Sequence, residues 1–245
     1  MTQAQAVIET INKFGGIATL SQINQKVFEI EDCVWGTKTP FASIRRIVRH
    51  TPGIFVVRKG VYALEDFREE LRKNGVVEQT SENKDSDEVK TFNHSYYQGL
   101  LLEIGNAKKL GTFVPDQDKN RKFGNVKLCD IRSIDSLPDF GYPHFVKRSS
   151  TIDVIWFNER NMPSSFFEVE HTTDIQNSLL KYMDLQDFYV RMVIVADDNR
   201  RAEFEAKLDY TAFAEIKERV EFLSYNSLDK QYEKQMSLKD CEVVL

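Results

Sequence analysis

Two apolar stretches decide the fold: FFEVEH at residues 166–171 and TIDVIWF at residues 151–157. Each is rich in β-branched and aromatic residues, which predicts a buried strand, yet each carries acids that a core strand does not tolerate uncompensated. Side chains alternate between the faces of a strand, so Glu168 and Glu170 are expected on the same side. Together with Asp153 they require positive charge nearby, and a divalent cation is the simplest source.

The composition is that of an ordinary globular protein. The chain has 245 residues, enough for one large domain or two smaller ones, with 41% hydrophobic and 29% charged residues. Because it shows no apolar run of membrane-spanning length, no secretory signal and no CxxC spacing, we expect a cytoplasmic protein without membrane association, disulfide framework or zinc site. The net charge of -5 excludes a surface that is basic all over, but it allows local nucleic-acid binding.

The pattern changes twice along the chain. Residues 1–66 predict helices over 4–14, 21–28 (with Ser21 as N-cap) and 40–50, then strands over 54–58 and 61–64, the order of a winged helix-turn-helix domain. Residues 67–91 are charged and poor in large apolar residues, which predicts a flexible linker. Residues 92–245 predict an α/β domain. Its helices are expected over 95–108, 175–189 and up to about 236, and its strands over 112–114, 151–157, 166–171, 192–196 and 220–224.

The acids of the second domain suit magnesium chemistry. Carboxylate oxygens are the hard ligands that Mg²⁺ prefers, and Mn²⁺ is a possible substitute. We predict that Asp153 and Glu168 are metal ligands, and that Glu170 binds a second ion or accepts a proton from the attacking water. Glu103, alone on an apolar helical segment, is a candidate for a further catalytic carboxylate.

Other interpretations of the charged residues remain open. The acids could instead form a structural salt-bridge network with Lys147, Arg148 or Arg191. His171 is expected to face away from the two glutamates as a hydrogen-bonded core or edge histidine. The pair Asp197-Asp198 is expected to cap a helix that begins near Asn199.

The arrangement of the acids resembles the PD-(D/E)XK nuclease fold over residues 94–196: one acid in a strand, acid-x-acid in the next, a helix with glutamate before and an amphipathic helix after. The resemblance implies a restriction-endonuclease-like α-β-β-β-α-β core that cleaves phosphodiesters with Mg²⁺ held by Asp153 and Glu168. Glu170 stands where most members carry lysine, as in a minority of restriction enzymes. Lys181, on the following helix, is the spare candidate for that lysine.

The first domain carries a local reversal of charge. Between Cys33 and Leu64 there are six Lys or Arg and no Asp or Glu. On the third helix, the 3.6-residue period puts an apolar arc on one side and a basic arc on the other. The apolar arc comprises Phe41, Ile44, Ile47 and Val48. The candidate DNA-binding residues are Lys38, Thr39, Ser43, Arg45, Arg46, Arg49, Arg58 and Lys59.

This segment, with Trp35, SIRR at residues 43–46 and GVYAL at residues 60–64, resembles the HARE-type helix-turn-helix domain. The resemblance implies binding to double-stranded DNA, with the third helix in the major groove and the hairpin tip as a wing. A solvated basic face, or a winged helix that docks a protein, is the alternative. Lys119, Arg121 and Lys122 form a second, looser basic loop.

These patterns together predict a Mg²⁺-dependent DNA endonuclease of restriction or defence type. Its winged helix would select DNA, its second domain would hydrolyse phosphodiesters, and a homodimer would allow both strands to be cut. The alternative is an inert winged-helix DNA-binding regulator whose nuclease-like domain serves dimerisation or sensing.

Overall fold

A computed structural model of the chain describes residues 1–83, 86–171 and 174–242. The chain divides into two compact units, one formed by Met1–Phe92 with the chain end from Met236, the other by Asn93–Gln235. None of the described helices combines the length and the apolarity needed to cross a membrane.

Residues 1–64 of the first unit form three α-helices and a three-stranded antiparallel sheet, in the strand order β1-β3-β2. Its elements are α1 (Gln3–Lys13), β1 (Ile17–Thr19), α2 (Leu20–Lys26), α3 (Pro40–His50), β2 (Ile54–Arg58) and β3 (Val61–Leu64). The helices bury their apolar faces against the sheet around Ile11, Ile23 and Ile44. The bounds predicted for the third helix and for the hairpin are confirmed.

Two local features of the first unit differ from prediction. Strand β1, which was not predicted, pairs with β3. Helix α2 begins after Thr19, not at Ser21, because the Thr19 side chain accepts the Gln22 N–H while the Gln22 side chain accepts the Thr19 N–H. This reciprocal capping box satisfies two of the donors that a helix start leaves open.

Part of the segment predicted as a linker is helical. Helix α4 covers Arg68–Lys73, and the following helix, α5 (Asp87–Ala107), begins well before residue 95. Leu71 and Val89 are buried, so a few apolar side chains suffice to hold these turns in an otherwise charged sequence. Residues 84 and 85 lie outside the described residues.

The second unit is built on a five-stranded mixed sheet in the order β10-β9-β8-β7-β4. After α5, its elements are β4 (Gly111–Phe113), β5 (Lys122–Phe123), β6 (Val126–Lys127), α6 (Leu128–Ile131), α7 (Pro143–Ser149), β7 (Val154–Phe157), β8 (Pro163–Glu170), α8 (Ile175–Met183), β9 (Arg191–Ala196), α9 (Arg201–Leu208), β10 (Val220–Ser224) and α10 (Tyr225–Glu242). The mixed α/β class is therefore confirmed.

Strand β8 is the centre of this sheet. It pairs antiparallel with β7 and parallel with β9, which places Val154 opposite Phe167 and Glu168 opposite Ile194. One face of the sheet buries Phe166 and Ile194 against Tyr182 of α8. Helix α8 ends at Met183, earlier than predicted, and Asp197 caps the turn at Asn199 as predicted.

Replacing Phe166 with alanine should destabilise the second unit by about 3–5 kcal/mol, because the removed ring leaves a cavity in a fully buried core. Chemical denaturation measures this change. Tyr189→Ala is the matched control, since that aromatic ring is exposed and its loss should change the free energy of unfolding by under about 0.5 kcal/mol. Equal destabilisation by both variants would contradict the assignment of the core.

Candidate functional site

The backbone of β8 fixes Asp153 at the start of β7. The carboxylate oxygen Oδ2 of Asp153 accepts a hydrogen bond from the Val169 N–H at 2.7 Å. Asp153 directly precedes Val154, the first residue of β7 that pairs with β8. The hydrogen bond of its side chain therefore continues the contact between the two strands by one residue. The predicted adjacency of Asp153 to the acids of β8 follows from this register.

Glu168 and Glu170 share one face of β8, as the strand period predicts. The Ser178 hydroxyl of α8 lies 3.0 Å from Glu168 Oε2 and also contacts Glu170 Oε1. A hydroxyl carries one proton, so Ser178 can donate to only one of the two carboxylates at a time. The two glutamates are thereby held together by one shared partner.

Lys181, one helical turn beyond Ser178, supplies the nearest positive charge. Its ammonium lies 2.7 Å from Glu168 Oε2 and donates to the Thr151 carbonyl at 2.9 Å. Residues three apart on a helix lie on the same side, which explains why both side chains of α8 reach the same strand. The spare candidate named from the sequence thus contacts the predicted metal ligand.

The other oxygen of Glu168 fits a cation. Its Oε1 is buried and has no hydrogen-bond partner within the part of the chain that the structure describes. A buried carboxylate oxygen without a partner costs free energy that a bound ion would recover. Asp153 and Glu168 are therefore a hard, oxygen-based pair suited to Mg²⁺.

The pKa values of the three acids report a deficit of positive charge. Burial raises the pKa of Glu168 well above its ordinary value, the charge of Asp153 raises it further, and the charge and hydrogen bond of Lys181 oppose this shift. Burial also raises the pKa of Asp153, although His94 opposes it, and raises the pKa of Glu170, although the Ser178 hydrogen bond opposes it. A bound divalent cation would lower all three.

Glu103 is not brought to this cluster. It lies nine residues beyond His94 on α5, which at 100° per residue is the opposite side of the helix. Its carboxylate accepts a hydrogen bond from the Tyr232 hydroxyl of α10. This position gives no support to the prediction that Glu103 is a further catalytic carboxylate, because an isolated acid on an apolar helix does not reveal which neighbour it faces.

Among the described residues, two of the three cations named for the salt-bridge alternative pair with other acids. Arg148 pairs with Asp184 and Arg191 with Glu221, away from the acids. The basic groups next to the acids are instead Lys181 and Arg200, the latter 3.8 Å from Glu170 Oε2.

Three residues that the sequence did not single out complete the cluster: His94 and Gln98 of α5, and Asp118 in the loop after β4. His94 Nε2 lies 3.6 Å from Asp153 Oδ1 and 3.8 Å from Asp118 Oδ2. Burial lowers the pKa of His94, but the charges of Asp153 and Asp118 outweigh that effect, so the pKa is raised. One ligand atom each of His94, Asp118 and Asp153 lies within 4.8 Å of the other two.

His171 stands on the far side of His94. The two imidazole rings are 5.9 Å apart, and a ring nitrogen of His171 lies 2.8 Å from the Tyr225 hydroxyl, which also donates to the Glu170 carbonyl. His171 is therefore a hydrogen-bonded histidine at the edge of the site, in agreement with its interpretation from the sequence. Residues 172 and 173 lie outside the described residues.

The predicted DNA-binding residues of the first unit are mostly exposed. Lys38, Thr39, Arg45, Arg46, Arg49 and Lys59 are exposed, and Ser43 is half-buried. Arg58 is only 8% exposed, so it does not project from the hairpin as predicted. Phe41 is exposed rather than part of the buried face and packs edge-on against Phe28.

The looser basic loop of the second unit is paired internally. Arg121 Nε lies 2.9 Å from Asp118 Oδ1, and Lys119 Nζ lies 3.1 Å from Asp116 Oδ1. These contacts hold the loop that carries Asp118 and leave no support for assigning it to DNA.

The fold and the site define a mixed α/β domain with a buried carboxylate cluster at the end of its central strand. A family model described as the type II restriction enzyme NmeDI C-terminal domain matches residues 75–243. This match covers more than half of the chain, so the chain belongs to that family. The matched range includes the whole carboxylate cluster and excludes α3.

A relative with the same description supports this membership. The type II restriction enzyme NmeDI of Neisseria meningitidis serogroup C is 24% identical to this chain over 149 residues, which are 57% of this chain and 42% of that enzyme. The chain thus spans less than half of the length of this relative. No solved structure matches the chain.

The raised pKa of Glu168 predicts a pH-dependent stability in metal-free protein. A carboxyl whose folded pKa lies above its unfolded value of about 4.5 stabilises the fold at low pH, and this contribution is lost as the pH rises through the folded pKa. Each pKa unit corresponds to about 1.4 kcal/mol. Between about pH 5 and pH 8, thermal unfolding should show Glu168→Gln gaining stability relative to wild type.

The matched control is Glu221→Gln, which removes a carboxylate from an exposed ion pair. Its melting temperature should change with pH in the same way as that of wild type. Parallel curves for Glu168→Gln as well would contradict the assigned pKa shift.

Proposed function

We propose that the second unit is a Mg²⁺-dependent DNA endonuclease domain of restriction type with a PD-(D/E)XK fold. The observation that carries the proposal is the set of the buried Asp153 and Glu168 and the partly buried Glu170, with the Lys181 ammonium on Glu168. A metal-dependent phosphodiesterase needs acids for its ion and a nearby group to manage the proton of water. This set offers both.

The order of elements supports the same proposal. Leaving aside β5, β6, α6 and α7, which lie between β4 and β7 in the chain, helix α5 is followed by the sheet strands β4, β7 and β8, then by helix α8 and strand β9. The first three strands form an antiparallel series, and β9 joins β8 in parallel. This is the α-β-β-β-α-β order that the resemblance implies, and membership of a restriction-enzyme family agrees with it.

In the proposed site, Asp153 and Glu168 hold Mg²⁺, with Mn²⁺ as a substitute. The bound ion supplies Lewis acidity and a water of lowered pKa. The Val169 N–H orients Asp153, while Lys181 binds Oε2 of Glu168 and leaves Oε1 for the ion.

Glu170 acts as the proton acceptor in this proposal. Burial raises its pKa and so offsets part of the lowering that a bound ion would cause, which favours proton acceptance by its carboxylate. Arg200 and Ser178 hold its side chain next to Glu168. Lys181 replaces, from α8, the positive charge that most members of the fold place on the strand at the position of Glu170.

We also propose that the first unit is a winged helix-turn-helix domain that selects double-stranded DNA, joined through residues 67–91 to the nuclease domain. The exposed arginines Arg45, Arg46 and Arg49 on α3 would contact the major groove, and Lys59 would contact a phosphate from the hairpin turn. Since one site cuts one strand, a homodimer would make the double-strand cut.

Cleavage of plasmid DNA in Mg²⁺ tests the nuclease site. Asp153→Ala and Glu168→Ala should each lower the cleavage rate by at least about 100-fold, because each removes a ligand that stabilises developing charge. Lys181→Ala should lower it by about 10–100-fold through disorder of Glu168. Supercoiled, nicked and linear products are separated on agarose gels.

The matched control is Asp198→Ala, an exposed acid beyond the end of β9, which should cut like wild type. Equal cutting by all variants would refute the site. If no variant and no wild-type preparation cuts methylated or unmethylated DNA, while DNA binding persists, the protein is the inert regulator.

DNA binding by α3 is tested in the Asp153→Ala background, so that the DNA stays intact. The double variant Arg45→Ala, Arg49→Ala should bind duplex DNA more weakly, and its plot of log affinity against log salt should flatten by about one unit for each lost phosphate contact. Fluorescence anisotropy measures both quantities.

Lys13→Ala, which removes an exposed basic residue from α1, is the control and should leave affinity and slope unchanged. The proposed interface fails if the double variant matches this control.

A further inference from the structure

We propose that His94 Nε2, Asp118 Oδ2 and Asp153 Oδ1 form a second divalent-cation site, which takes a first-row transition-metal ion in preference to Mg²⁺. The site shares Asp153 with the proposed Mg²⁺ site but uses none of its other residues. Metal binding at this second site does not require the protein to cut DNA, so the two proposals can fail separately.

The distances fit an ion better than a direct contact. His94 Nε2 lies 3.6 Å and 3.8 Å from the two aspartate oxygens, which is beyond hydrogen-bonding distance. Ligand atoms at about 2.1 Å from a common ion stand about 3 Å apart when they subtend a right angle. To share one ion, His94 therefore needs to close by less than about 1 Å toward each aspartate. The two aspartate oxygens, which lie within 4.8 Å of each other, need to close by less than about 2 Å.

The side chains around the ligands hold them in place. Gln98 Nε2 donates to Asp118 Oδ2 at 2.9 Å and to the Asp153 carbonyl at 3.2 Å, so one amide ties both aspartates to α5. Arg121 occupies the other oxygen of Asp118 at 2.9 Å. Such outer contacts orient metal ligands and are a regular part of metal sites.

Gln98 also gives a sign of a missing partner. It is completely buried, and its Oε1 has no hydrogen-bond partner within the described residues, although its Nε2 lies in the cluster. A buried amide oxygen of this kind ordinarily accepts a hydrogen bond from protein or water. A water on the bound ion would supply that donor next to Asp118.

The ligand types decide which ion is expected. Imidazole binds transition-metal ions well, whereas Mg²⁺ is held by oxygens and keeps several of its waters. The pair Asp153 and Glu168 offers oxygens alone, while His94 adds nitrogen to two carboxylates. One carboxylate has about four lone-pair positions, so Asp153 can serve both sites.

The probe is Mn²⁺ added to the metal-free full chain, followed by electron paramagnetic resonance. The loss of the free-ion signal counts the bound ions, and electron-spin-echo modulation detects nitrogen bound to Mn²⁺. Wild type should bind two ions and show nitrogen modulation. Glu168→Gln should keep one Mn²⁺ ion, and that ion should show the nitrogen modulation. In wild type, excess Mg²⁺ should displace only the Mn²⁺ ion that shows no nitrogen modulation.

His94→Ala and Asp118→Asn should each bind one ion, and His94→Ala should lose the nitrogen modulation. His94→Gln provides a second variant that keeps the size of the side chain, and thermal unfolding checks that each variant folds. Gln98→Ala leaves all three ligands in place and should weaken the second ion by about 10–100-fold. His144→Ala, which removes an exposed histidine of α7, should match wild type.

One bound ion in wild type, or nitrogen modulation that persists in folded His94→Ala and His94→Gln, would overturn the proposal. If wild type binds one ion, a protonated His94 interacts with the two aspartates and no second ion binds there. Two bound ions in a protein that cuts no DNA would support this site while refuting the nuclease proposal. Cleavage in Mg²⁺ by a protein that binds a single ion would support the nuclease proposal and refute the second site.

Discussion

The burial of Glu168 in the middle of a five-stranded sheet is the constraint on which the second unit depends. A carboxylate that is 2% exposed costs several kcal/mol unless opposite charge and hydrogen bonds compensate it. Helix α8 meets that requirement only when the face bearing Ser178 and Lys181 lies over β8. The same face carries Leu179 and Tyr182 into the core, so charge and apolar packing fix one orientation of the helix.

Asp153 imposes a second condition on the same strand. Its hydrogen bond to the Val169 N–H is possible only with β7 and β8 in the observed register, because a shift by one residue would turn that N–H away and exchange the faces of the strand. The acids therefore help to specify the sheet in which they are buried. A pair of acids that also sets the register is held rigidly, which suits the ion binding proposed for it.

The elements that the sequence predicted are those whose pattern is local. The two-residue period put Glu168 and Glu170 on one face, and the amphipathic pattern placed α3 correctly. Contacts between distant segments were missed, since nothing in the loop around Asp118 indicates that it meets His94 of α5. Arg58 was misplaced because the register of β2 shifts between Val56 and Arg58, so that Val57 and Arg58 are both buried instead of alternating.

Glu170 stands where the resemblance would place a lysine, and the position of Lys181 explains how an acid can occupy this position. A lysine at position 170 would share one face with Glu168, where the ammonium of Lys181 already lies 2.7 Å from Glu168. Two ammonium groups would then crowd the Glu168 carboxylate, with Arg200 next to the new lysine, and the like charges would repel each other. With the positive charge supplied from α8, the strand position is open to an acid. In the proposed nuclease, that acid gives the site a base where other members of the fold have a cation.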